Sequence, residues 1–256
     1  MSDPIAVEKL DGGAYWRVVL GGSKGNILDA VLMRALSAVL TEAAANAHVK
    51  ALCLEGQGAH FSFGASVPEH LPATVEGMLA QFHGLLLTLV DASVVVLAAV
   101  RGQCLGGAME LVTLCHRIFA SADAKFGQPE IVLGVFAPAA SVLLADRVGR
   151  GSAEDLCLSG RSISAGEAFR IGLVDEIADG DPADAAATYA RTHLLPRSAS
   201  SLRMAVRALR VGLRAKLVRE LPEVERIYLT QLMATDDAVE GLQSFLEKRA
   251  PVWRDR

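Results

Sequence analysis

The sequence predicts an α/β chain with crossover connections, closed by a helical subdomain at its C-terminal end. Strand-length apolar runs alternate with segments of helical spacing as far as about residue 187, the pattern of a sheet whose strands are joined by helices. Beyond that point the spacing is helical throughout. No apolar run approaches the ~18 residues of a membrane span; the longest, Val94 to Val100, has the length of a buried strand.

Ala14 to Leu20 (AYWRVVL) reads as a strand, broken by the loop Gly21-Gly22-Ser23-Lys24-Gly25-Asn26. Residues 29 to 46 carry Val31, Leu32, Ala35, Leu36, Val39 and Leu40 at helical spacing. Val49 to Leu54 is a second strand ended by Gly56-Gln57-Gly58, a helix fills about 75 to 91, and Val94 to Val100 is a third strand. Residues 107 to 115 read as helix, His116 to Ala120 as extended chain, and 138 to 148 as helix again. In the C-terminal part Leu202, Val206, Leu209, Leu213 and Leu217 form one apolar stripe, with Ser200 or Ser201 as N-cap. Pro222 is expected to divide this helix from another over 223 to 233, and a last one covers 236 to 248.

A chain of 256 residues buries one sizeable core, or one core with a small appended subdomain. With 52% hydrophobic residues and a mean hydropathy of +0.34, the composition favours an oligomer. The net charge of −4 argues against a protein built to hold nucleic acid. Cys53, Cys104, Cys115 and Cys157 form no CxxC pair and the histidines show no metal-ligand spacing, so buried thiols in a reducing compartment are expected, and no metal. The N-terminal stretch has two early acids and no basic-then-apolar pattern, so a cytoplasmic location is expected.

Three segments carry candidate chemistry. Arg101 to Glu110 (RGQCLGGAME) joins a buried strand to a helix. Its glycines let the backbone approach a ligand and leave N–H groups free to meet it, and the helix N-terminus favours developing negative charge. Glu110 follows in the first turn. Phe61 to Val67 (FSFGASV) is a second turn of small residues, able to bring another N–H to the same point. In Lys125 to Gly134 (KFGQPEIVLG), Glu130 follows a proline in a mostly apolar run. Such an acid is paired, solvent-facing, or kept for proton transfer with a raised pKa.

Together the segments resemble the crotonase (enoyl-CoA hydratase/isomerase) superfamily over nearly the whole chain, from the Lys24–Leu28 loop to Phe245–Arg249. The most specific parts are FSFGAS (61–66), GQCLGGAMELVTLC (102–115) and AKFGQPEIVLG (124–134). The resemblance implies a ClpP/crotonase-like α/β fold. Stacked ββα turns form a spiral over residues 1–190, and a helical subdomain over 191–256 trimerises and closes the site, trimers pairing into hexamers. It implies that Ala65 and Gly107 donate the two oxyanion-hole N–H groups and that Glu110 and Glu130 form a paired acid/base. Retention of both acids points to addition or elimination of water on an acyl-CoA thioester, with no cofactor besides the coenzyme A of the substrate. Lys24, Gly25, Phe63, Ser66, Phe245 and Lys248 are then expected on the coenzyme.

Some positions depart from the common pattern of that family: Ser66 where Asp is usual, Val135 to Ser141 in place of a glycine-rich stretch, and His116 where Asp is usual. With FSFGASV-x-EH (61–70), SGRSI (159–163) and DAVEGL-x-xFLEKR (237–249), these look like the branch that hydrates a cyclic dienoyl-CoA in anaerobic aromatic degradation. Phe61, Phe63 and Phe136, with Pro138, then supply a flat apolar slot for a six-membered ring. His116 is expected to serve packing or surface. Two other readings stand beside this one: a general enoyl-CoA hydratase or isomerase of fatty-acid breakdown, and a non-catalytic RNA-binding homologue. The last rests on the basic stripe Arg203, Arg207, Arg210 and Arg214, for which a solvated or subunit-interface face is the expectation.

Overall fold

A computed structural model describes residues 3–256. Two short β-strands open the chain, β1 (Ile5–Leu10) and β2 (Tyr15–Leu20), paired antiparallel. Helix α1 (Ala30–Ala45) then crosses to β3 (Ala51–Gly56), and α2 (Val75–Asp91) crosses to β4 (Val95–Val100). Every residue of β3 and β4 is buried, as parallel strands covered on both faces must be. Next come β5 (Gln103–Leu105), α3 (Gly107–Thr113), β6 (Arg117–Ala120) and β7 (Lys125–Gly127). They are followed by α4 (Pro138–Val148), α5 (Arg150–Ser159), β8 (Ser162–Ser164), α6 (Ala165–Arg170), β9 (Glu176–Ile177) and α7 (Pro182–Tyr189). The long α8 (Ala199–Thr230) and α9 (Asp236–Leu246) close the chain.

The main sheet has the order β1-β2-β3-β4-β6-β9, parallel except at β1. A second, small sheet has the order β5-β7-β8, and a bridge between Ser62 and Cys104 extends it to the turn after β3. This small sheet brings the three chemistry-bearing segments side by side: Phe61 N donates to Arg101 O at 2.8 Å, Leu105 N to Ser62 O at 3.1 Å, and Gly106 N to Gly127 O at 2.9 Å. Buried Asn26 pins the same turn, its amide donating to the carbonyls of Gln57, His60 and Phe61.

The C-terminal helices differ from expectation in four respects. Pro222 does not divide a helix; α8 runs through it. The proline lies exposed on the outer face, where the carbonyl its missing N–H leaves free is open to solvent, and the buried Leu217, Leu221 and Tyr228 hold both halves to one core. The N-cap is Ser198, which accepts from Ser201 N at 3.4 Å, in place of Ser200 or Ser201. Leu209 is 77% exposed, because the buried face of α8 runs through Val206, Arg210, Leu217, Leu221 and Tyr228.

The fourth correction concerns the basic stripe, which is a solvated face only at Arg207 and Arg214. Arg203 donates to Ala44 O at 2.8 Å, to Ala43 O, Asn46 O and Val49 O, and so caps the end of α1. Arg210, 8% exposed, donates to Leu114 O at 2.5 Å beyond the end of α3. Arg214 pairs with Asp91, the last residue of α2, at 2.6 Å. Cations at helix C-termini meet both the unpaired carbonyls and the negative end of the dipole. Arg203 and Arg210, committed in this way, are not available to a phosphate backbone, which breaks the stripe as an RNA-binding face. No described helix is long and apolar enough to cross a membrane.

Candidate active site

Two adjoining cavities open where the three segments meet. The outer one is lined by Phe63, Val67, Pro129, Leu133, Val135 and Leu242, among others. Met78, Leu79 and Phe82 of α2, Glu110 of α3 and Phe136 to Pro138 line the inner one. Ala65, His70 and Glu130 line both, so they form the neck between them. Larger open hollows lie at the start of α9 and beside the α2–α8 contact; neither holds two facing acids beside free backbone donors.

Backbone geometry at the neck follows from glycine. Gly64 (φ 94°) and Gly106 (φ 52°) occupy the left-handed region that side-chained residues avoid. A Cβ on Gly64 would stand 2.6 Å from Leu105 O, and one on Gly106 would strike the Glu130 carboxyl. The chain therefore passes close enough that a Cβ built on Gly107 would lie 3.5 Å from Ala65 N. Gly107 is the first residue of α3, where an N–H has no partner within the helix. The Ala65 N–H likewise has no acceptor among the described residues.

Glu110 is 4% exposed, and its Oε1 accepts from Ala140 N at 2.6 Å, in the first turn of α4. Burial pushes its carboxyl up to about 7, against the lowering by the Ala140 and Ala139 N–H groups. Glu130 keeps some open surface toward the cavity, yet protein surrounds it. Its carboxyl is pushed up to about 8, first by burial and then by the charge of Glu110. The Gln128 side-chain amide lies 3.1 and 3.3 Å from the two carboxyl oxygens of this acid, within hydrogen-bond reach of both. A carboxyl pair with raised proton affinity, beside two free N–H donors, can take a proton from water on one side and deliver one on the other.

Of the remaining expected residues, Phe63 lines the outer cavity, and its ring fills the space beside Gly25. Ser66 lies half-buried and offers its carbonyl to His70. Phe136 and Pro138 line the inner cavity, Phe136 stacking edge-on against Tyr228 at 5.2 Å. Phe61 does not belong with them: it is fully buried in the main core, outside both linings. Lys24, Phe245 and Lys248 are exposed and line neither cavity. His116 is structural, accepting from Val96 N at 3.0 Å beneath Arg210. Reading the sequence missed His70, Gln128 and the α2 residues Met78, Leu79 and Phe82; an apolar helical stripe looks alike whether it faces a core or a cavity.

Comparison with known proteins gives one consistent result. The family model described as Enoyl-CoA hydratase/isomerase matches residues 22–256. The chain is 48% identical over 255 residues to the cyclohexa-1,5-dienecarbonyl-CoA hydratase of Thauera aromatica, covering 100% of this chain and 98% of that protein. It is 38% identical to a probable enoyl-CoA hydratase of Rhizobium meliloti, covering 90% of each. Among solved structures, an enoyl-CoA hydratase/isomerase from Xanthobacter autotrophicus Py2 superposes with a TM-score of 0.85 at 26% identity, covering 96% of this chain and 94% of that one.

Proposed function

The chain belongs to the enoyl-CoA hydratase/isomerase family and takes its crotonase fold, and from that premise we propose how and on what it acts. It is an acyl-CoA hydratase, a hydro-lyase. We assign as its substrate cyclohexa-1,5-diene-1-carbonyl-CoA, hydrated to 6-hydroxycyclohex-1-ene-1-carbonyl-CoA. The observation that carries the substrate is the 48% identity to the Thauera enzyme along the full chain. Two buried acids facing one cavity beside two free N–H groups support the reaction.

The backbone contact assigns the roles. Glu110, whose Oε1 accepts from Ala140 N in the first turn of α4, is the acid whose charge the backbone stabilises, and it takes a proton from a water lying between the carboxyls. The water oxygen bonds to the carbon β to the thioester, and the displaced π electrons run to the carbonyl oxygen. There the Ala65 and Gly107 N–H groups receive the enolate charge, each such donor being worth ~3 kcal/mol. Glu130, still protonated, delivers its proton to carbon. In a linear enoyl thioester that carbon is α. In the cyclic diene the dienolate takes the proton at the far end of its second double bond, leaving a double bond beside the thioester and the hydroxyl on C6. No step needs a metal or a redox cofactor.

Coenzyme A itself is assigned to the outer cavity, past Phe63 and Ser66, with Lys24 and Gly25 beside it. Phe245 and Lys248 of the 191–256 helical segment meet the coenzyme, Lys248 at its phosphates, across a subunit contact in a homotrimer or a pair of trimers. The reaction belongs in the cytoplasm, where unpaired thiols such as these four persist. Turnover of the cyclic dienoyl-CoA against crotonyl-CoA tests the substrate. A preference for the ring is expected, and clear preference for crotonyl-CoA would overturn it.

A further inference from the structure

Of the three residues at the neck between the cavities, Ala65 and Glu130 have roles in the reaction above and His70 has none. His70 ends the 3-10 turn Val67–His70. Its Nδ1 lies 2.8 Å from Ser66 O. A carbonyl oxygen only accepts, so Nδ1 carries the hydrogen of that bond. Burial holds the pKa of His70 below the usual histidine value, against the raising effect of the Ser66 carbonyl, and the ring is neutral at neutral pH. Its other nitrogen, Nε2, is then a bare acceptor.

Nε2 has no hydrogen-bond partner among the described residues. It also differs from Nε2 of His83, which is sealed in the interior without a partner. The free edge of the His70 ring opens on the neck, amid Val67, Met78, Leu79 and Phe82. These four side chains offer no donor, and the Glu130 carboxyl and the Ala65 N–H at the same neck make no hydrogen bond to Nε2. A neutral acceptor left unpaired by its neighbours gains from an O–H or N–H brought by a ligand.

The chemistry at the neck narrows the donor. A thioester has no O–H, and neither does a conjugated alkene. The hydrated product does, on the carbon that received the water. We propose that His70 is a specificity-determining residue whose Nε2 accepts a hydrogen bond from the hydroxyl of the hydrated acyl group. The site thereby distinguishes the hydrated thioester from the unsaturated one. The same lone pair serves the attacking water. One water hydrogen passes to Glu110, the other stays on oxygen and points to His70, so this bond persists from water to alcohol.

The inference rests on the hydratase reading, and the test separates the two. Steady-state KM is measured in both directions, with the cyclic dienoyl-CoA and with its hydroxylated product. The proteins are wild type, His70→Phe, His70→Leu and His70→Gln, each first checked for an unchanged melting temperature. The two apolar replacements differ in volume, so misfolding of one leaves the other. Loss of the Ser66 tie loosens the turn for both thioesters alike; loss of the acceptor weakens only the hydroxylated one. The expected result is a rise of about tenfold in the ratio of the hydroxyl form's KM to the diene's, the worth of one neutral hydrogen bond. His70→Gln, which restores an acceptor oxygen, recovers part of it. A ratio within about twofold of wild type in the apolar variants, or no recovery with glutamine, overturns the proposal and leaves the hydratase standing. Wild-type protein inert toward both thioesters would overturn the hydratase reading itself.

Discussion

Glu110 and Glu130 share one low-dielectric pocket and differ in what else touches them. The α4 backbone favours a charge on Glu110, whereas that charge disfavours a second one on Glu130. The pair therefore titrates as a unit, and the active form holds a single proton. The rate kcat/KM is expected to rise as the first proton leaves near pH 7 and fall as the second leaves near pH 8. Glu110→Gln or Glu130→Gln is expected to cut hydration by at least ~100-fold. Near-wild-type rates in both variants would refute the roles assigned to them.

The same shifts bear on stability. An unfolded chain titrates glutamate near ~4.3, whereas these two hold their protons to about 7 and about 8 when folded. Between those limits the folded state binds more protons than the unfolded one, so unfolding free energy falls as pH rises. Their contribution is fully present below ~4.3 and lost as pH climbs through the folded values. Glu130→Gln removes one titrating group, and its stability is expected to decline less than wild type between pH 5 and 9. Urea unfolding at several pH values reads this directly, and parallel curves for the two proteins would show that Glu130 is not buried as an acid.

Among the elements, α3 is the one on which the site depends most, since it begins at Gly107 and carries Glu110. Its far end is held by Arg210 from α8 through Leu114 O, while Arg147 of α4 reaches Cys115 O at 3.4 Å. Arg210→Ala strips a charged donor from a buried carbonyl and is expected to cost about 2 kcal/mol of stability. It should lower kcat more than it raises KM, because α3 sets the acid and a donor, not the coenzyme contacts. A denaturation midpoint equal to wild type would show the Leu114 bond to be dispensable.

How far these elements can be read from sequence varies with their length. Helix α2 spans Val75–Asp91, the range the sequence leads us to expect, and β4 is legible because six consecutive apolar residues leave little else. The three-residue strands β5, β7 and β8 are too short to show alternation, though they align the active-site segments. The two acids were legible from the motifs around them. The inward turn of Arg203 and Arg210 was not, because a basic stripe beside an apolar one looks the same in sequence whether it meets water or helix ends. Phe61 was misplaced for a related reason: an aromatic beside a motif packs into a core as readily as into a pocket.

For the whole molecule, the apolar composition leaves a remainder that one chain does not bury. On the outer face of α8, Met204, Val211 and Val218 are 54%, 67% and 50% exposed, and exposed Ala208 and Ala215 fall between them. Side chains at this heptad spacing form a seam for a facing helix, and a continuous exposed apolar row marks an association surface. Exposed Val252 and Trp253 after α9 are further apolar surface that the chain itself leaves uncovered. The protein is therefore expected to run as a trimer or hexamer of its 27.0 kDa chain in light scattering. Val211→Glu places a charge in the middle of the seam without touching the buried face of α8, so it should lower the mass while leaving the circular dichroism of the chain unchanged. Because α8 packs on α2 and α4, which line the inner cavity, the dissociated fraction should also hydrate more slowly than the assembled one. An unchanged mass would move the subunit contact away from α8, and a monomeric wild type would leave the exposed seam without the partner argued for it.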